Sequence, residues 1–152
     1  MAWITPELAA LQEVVSDAEY SAITTAVLGD GQTGPDIAAA ALARWTNHAR
    51  GYVPATISLG EEGTIPEKLL QTVLVLARRT IFTRLPGMES LHTTLRDKEV
   101  ETAEKTLQDC KRGDFRLEEP EVAAPAEEQG SAPSPMITGK TRRFERGDEE
   151  GA

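Results

Sequence analysis

Apolar positions along residues 1–117 recur at helical rather than strand spacing. Ile37, Ala41, Trp45, His48 and Tyr52 follow at intervals of four, four, three and four. They predict a helix opened by Pro35 and Asp36, with one buried face, that stops at Val53-Pro54. Thr64-Ile65-Pro66-Glu67 has the form of a capping box with proline in the first turn, and the helix it opens runs to Leu85, before Pro86-Gly87. That segment carries Leu69, Leu70, Val73, Leu74, Leu76, Ile81 and Phe82 among others, too many for one stripe. A helix apolar nearly all round has to be covered on several sides, which makes it the central element. A last helix starts between Ser90 and Thr94 and ends at Gly113, with Val100, Ala103, Leu107 and Cys110 on its buried face. Near the start, Thr5-Pro6-Glu7 predicts a short helix through Leu8 and Leu11, and Ser16 with Glu19 forms a second capping box for a helix that stops at Gly29. No stretch alternates with period two, although residues 56–59 allow a brief strand-like loop. The fold class is therefore all-α, a small bundle of about four to five helices around a central apolar one.

After Leu117 the pattern breaks. Residues 118–135 hold four prolines, five glutamates and no cation, a composition that cannot bury enough apolar surface to offset chain entropy. Residues 136–146 differ again, combining Met136, Ile137 and Phe144 with Lys140, Arg142, Arg143 and Arg146. Apolar anchors beside guanidinium groups suit a segment that orders against a partner, so these seven are the candidate partner-binding residues. The expected organisation is a helical body over 1–117, an acidic linker over 118–135 and a docking peptide over 136–152.

The net charge of −9 is uneven: residues 1–117 carry 12 cations against 16 acids, and residues 118–152 carry 4 against 9. With no basic stripe, sequence-independent DNA binding is disfavoured. No apolar run reaches the roughly 18 residues of a membrane span, and the start MAWITPELAAL lacks a secretory pattern, so no membrane is expected and the protein should stay where it is made. One cysteine and two histidines leave neither a disulfide nor a four-ligand zinc site. Cys110 reads as a small core residue, and His48, on the apolar face, as a hydrogen-bonded core or interface residue. His92 has no triad partners that the sequence can identify. Thr138-Gly139-Lys140-Thr141 resembles the end of a phosphate loop, but its leading glycine is replaced by Ser134 and no strand precedes it. Asp30-Gly31 lacks the spaced acids of a calcium loop. Arg78 and Arg79 interrupt the central apolar helix and are either paired inside the body or placed at an interface. No cofactor and no enzymatic activity are expected, and the few aromatics imply a small core that association with other copies would supplement.

Short N-terminal helices, a helix ending in Tyr52-Val53-Pro54, Ile65-Pro66-Glu67-Lys68-Leu69-Leu70 leading into Leu76-Ala77-Arg78-Arg79, and a helix ending in Lys111-Arg112-Gly113 follow in an order that resembles the head-tail adaptor (connector) family of Mu-like tailed phages. Arg143-Phe144-Glu145-Arg146 is similar to that family's closing Arg-x-Phe-x-Arg signature, while the long linker and the acidic end GDEEGA depart from it. The resemblance implies a structural virion protein of the neck, assembled in the host cytoplasm. It would form a dodecameric ring between the portal protein and a tail-side stopper or tail terminator protein, with packaged DNA passing through unbound. The alternative is a small non-viral helical adaptor or regulatory protein that binds a partner through its C-terminal tail.

Overall fold

The computed structural model describes residues 2–120, and the seven partner-binding candidates between Met136 and Arg146 lie outside them. Most of the described chain is helical. Two short strands, β1 (Trp3–Ile4) and β2 (Ile65–Pro66), pair antiparallel, with Trp3 opposite Pro66 and Ile4 opposite Ile65. Neither strand is long enough to show alternation, and residues 56–59 form no strand.

The first helical piece, Leu8–Glu13, is a 3-10 turn that begins two residues past Pro6, with no side-chain cap, so Thr5 is not the cap expected of it. Helix α1 (Asp17–Thr25) does open on the Ser16 and Glu19 capping box, the Ser16 amide donating to Glu19 Oε2 at 2.9 Å. It stops well before Gly29. Thr24 and Thr25 turn their hydroxyls back onto Tyr20 and Ser21 carbonyls, Ala26 is extended, and Val27 bridges to Thr33 across a tight hairpin. That hairpin brings Gly34 against α1 so closely that a methyl group on Gly34 would run into the Ile23 carbonyl. Helix α2 (Gly34–Arg50) is capped by Thr33, which shares a capping box with Asp36.

The buried face of α2 is Ile37, Ala38, Ala41, Leu42, Thr46 and Ala49, a row rich in alanine that packs against the next helix. This shifts the expected stripe by about one position. Trp45 and Tyr52 fall on its margin, half-buried, and His48 is exposed rather than in the core.

Helix α3 (Leu70–Arg84) starts after a 3-10 turn at Glu67–Leu69, because Ile65 and Pro66 are committed to β2. Thr64 therefore caps nothing; its hydroxyl donates to the Glu61 carbonyl at 2.6 Å. Seven consecutive residues of α3, from Thr72 to Arg78, are buried, followed by Ile81 and Phe82. It is the central element, packed by α2, by the first 3-10 turn and by α4 (Thr94–Arg112). The Thr93 hydroxyl accepts from the Arg96 amide to start α4, and Gly113 at φ 84° closes it, a left-handed position that glycine adopts without strain. Val100, Ala103, Leu107 and Cys110 form its buried row as the spacing predicts. Beyond α4, Phe115 and Leu117 pack on the core, Trp3 Nε1 donates to the Glu118 carbonyl at 3.3 Å, and Lys68 pairs with Glu118 at 3.1 Å. No helix among the described residues is long and apolar enough to cross a membrane.

Candidate functional site

The aromatic residues that α2 leaves at the margin of its buried face form a ladder. Trp45 and His48 meet edge to face at 5.1 Å between centroids, and His48 and Tyr52 at 5.1 Å in a tilted arrangement. Helical spacing of three and four residues stacks them along one side of α2. The Trp45 indole donates to Thr80 Oγ1 of α3 at 2.8 Å, which fixes the ring, and Thr80 in turn donates to the Leu76 carbonyl. Cations gather around this ladder: Arg44 lies 6.0 Å from the Trp45 ring and Lys111 of α4 lies 5.9 Å from the Tyr52 ring.

Beside the ladder is a shallow depression of about 400 Å³ lined by Arg44, Trp45, Arg79, Thr80, Arg84 and Glu104 among others. Arg44, Arg79 and Arg84 are exposed. Among the described residues none of the three has an ion pair, and Glu104, although on the same wall, pairs with none of them. In a chain of net charge −9 this is a locally basic, partly aromatic surface. A second depression of about 400 Å³ opens between α3 and α4, lined by Val75, Leu95, Lys98, Glu99, Thr102 and Ala103 among others, with Leu95 at its rim and 69% exposed. The two depressions share no lining residue.

Arg78 and Arg79 separate here. Arg78 is only 5% exposed, and its guanidinium donates to the Val14 carbonyl at 2.8 Å and to Glu99 at 2.5 Å, tying the N-terminal 3-10 turn and α4 to the central helix. Of the two readings the sequence left open, internal pairing holds for Arg78, and Arg79 is the one at the surface. Arg96 repeats the device nearby, pairing with Glu19 at 2.9 Å and lying 5.2 Å from the Phe82 ring. Burial pulls the Glu19 carboxyl upward, but the Ser16 amide, the Arg96 guanidinium and the Ser16 hydroxyl outweigh it and hold Glu19 below the usual carboxylate value. Cys110 is wholly buried, and that burial, with the Asp109 carboxylate beside it, pushes its thiol up to about 11. His92 packs against Phe82 at 6.2 Å, with Nε2 3.4 Å from the Thr83 hydroxyl. Among the described residues no group of three His, Cys, Asp or Glu side chains is placed to hold a metal ion.

Sequence reasoning missed one cluster. Arg50, at the end of α2, donates from Nη1 to the Glu61 and Thr64 carbonyls at 2.8 and 2.5 Å and from Nη2 to Gly60 at 3.0 Å. Its guanidinium lies 5.7 Å from the Trp3 ring, which packs so tightly on Gly60 that a methyl group there would stand 2.7 Å from the indole. Three backbone carbonyls turned to one cation leave no motif in the sequence, since carbonyl direction is set by the loop and not by residue type. No family model, curated protein or solved structure matches this chain.

Proposed function

We propose that the chain is a structural virion protein, a head-tail connector adaptor whose copies form a ring joining the portal protein to the tail side and lining the channel through which DNA passes. The observation that carries the reading is the exposed Arg44, Arg79 and Arg84 beside half-buried Trp45, a basic and aromatic face with no ion pair among the described residues on a chain that is acidic overall. A cyclic assembly needs two unlike faces on each copy, because each subunit meets its neighbours through different surfaces. The order of motifs that resembles the connector family names the kind of ring. Net negative charge suits a channel wall, since an acidic surface releases no counterions from DNA. Residues 136–152, lying outside the described part, serve as the tethered peptide that reaches the portal protein or an adjoining copy, and tethering raises the effective concentration of each weak contact around the ring.

Co-sedimentation of the full chain with purified portal rings tests this, alongside a chain truncated after residue 135. The expected outcome is a helical, cooperatively melting truncated body whose binding to the portal is weakened. Unchanged portal affinity after truncation refutes the docking role, and a full chain that binds no portal refutes the connector reading.

A further inference from the structure

The arginines of the basic depression form no ion pair among the described residues, and the same body carries a surplus of acid elsewhere. The loop before β2 exposes Glu61 and Glu62, and Glu119 is exposed where the chain leaves the body. Glu61 and Pro120 line one shallow recess with Trp3 and Gly60, so loop and exit segment form a single edge. Its backbone is held firmly: Arg50 grips the Gly60, Glu61 and Thr64 carbonyls, and Trp3 bonds to Glu118. The carboxylates of Glu61, Glu62 and Glu119 make no ion pair among the described residues. No residue lining this edge lines the arginine depression.

We propose that the Arg44, Arg79 and Arg84 face of one copy receives the Glu61, Glu62 and Glu119 edge of the next, with half-buried Trp45 as the apolar anchor between them. This inference rests on the ring reading and specifies which surfaces meet in it. Charge complementarity decides which patches meet. Two arginine faces brought together repel, as do two glutamate edges, so a twofold dimer through either patch is disfavoured. Only face against edge attracts, and in a ring that contact is heterologous: every copy uses one patch on one neighbour and leaves the other open for the next. Guanidinium groups pair with carboxylates through two parallel hydrogen bonds, which fixes the angle between copies, and a fixed angle is what lets such a chain of contacts close. Outside these patches residues 2–120 hold 9 cations against 15 acids, a net charge that opposes non-specific association.

The test uses two charge-reversed full chains, one carrying Arg79→Glu and Arg84→Glu, the other Glu61→Arg and Glu62→Arg. All four positions are exposed, and circular dichroism checks that both variants keep the wild-type helix content. Sedimentation velocity at low salt should show each variant alone associating at least about tenfold more weakly than wild type. An equimolar mixture should recover the wild-type assembly, because the reversed face of one chain then meets the reversed edge of the other. Wild-type rings unaffected by either reversal, or a mixture that stays dissociated, overturn the pairing and leave the ring reading standing. A wild-type chain that remains a single copy at every concentration overturns both.

Discussion

Replacing Arg78 with methionine isolates what the buried guanidinium does. Methionine keeps most of the unbranched stem that packs inside α3 and removes both donors, so the change is chemical more than volumetric. On one side it orphans the Val14 carbonyl, whose bond to Arg78 is buried. An acceptor left unsatisfied away from water costs about 1–3 kcal/mol. On the other side it frees Glu99, whose side chain is 44% exposed and returns to water, so that half of the arrangement contributes under about 1 kcal/mol. Relief of the guanidinium's own desolvation offsets part of the loss. The net expectation for Arg78→Met is a loss of about 2 kcal/mol, or roughly 8 °C in Tm at about 4 °C per kcal/mol for a body of this size. Glu99→Gln should cost less than about 1 kcal/mol. Urea titrations followed by tryptophan fluorescence, with the slope unchanged between variants, measure both. The reasoning fails if Arg78→Met stays within about 0.5 kcal/mol of wild type, or if Glu99→Gln destabilises as much as Arg78→Met.

Gly34→Ala separates local propensity from tertiary fit: helix propensity alone predicts a gain of about 1 kcal/mol, whereas collision with the Ile23 carbonyl predicts a loss of more than about 2 kcal/mol, read by thermal melting. Cys110 has its folded pKa raised from 9.0 to about 11, so its contribution is whole below the unfolded pKa and is lost as pH rises from there through the folded value. Wild type should therefore lose on the order of 2 kcal/mol more than Cys110→Ala between those limits, and iodoacetamide should label the native thiol only on unfolding. Glu19 sits below its usual pKa, so the stability it adds is present above the ordinary carboxylate value and disappears as pH falls through the lowered one. Glu19→Gln should cost about 1 kcal/mol at pH 7, with the gap to wild type closing in acid-unfolding curves.

What could be read from the sequence depended on how far apart the interacting residues lie. Ser16 with Glu19, Gly113 after α4 and the buried row ending in Cys110 were legible, because each rests on residues within about one helical turn of each other. The all-round apolar α3 was equally plain, since its burial follows from its own composition. Thr64 misled because a threonine followed three positions later by glutamate has the form of a cap whether or not a strand takes the intervening residues. Trp3, more than sixty residues away, takes Pro66 out of the helix. His48 was misplaced for a related reason: alanines at 38 and 49 let α2 approach α3 on a row that large side chains do not mark. The Arg50 clamp and the Trp3 bond to Glu118 join segments 10 to 115 positions apart, and the side chains involved look like ordinary surface residues in the sequence. Of the candidate surface, the sequence singled out Trp45, His48, Tyr52 and Arg79, but not that they share one side of the body with Arg44 and Arg84.

In the proposed ring the body acts by meeting copies of itself through unlike faces. Native mass spectrometry of the full chain over a range of concentrations tests it most directly. The expected result is a closed ring of one stoichiometry, with single copies at low concentration and no preferred dimer. A chain that stays a single copy throughout, or that settles as a symmetric dimer, contradicts it.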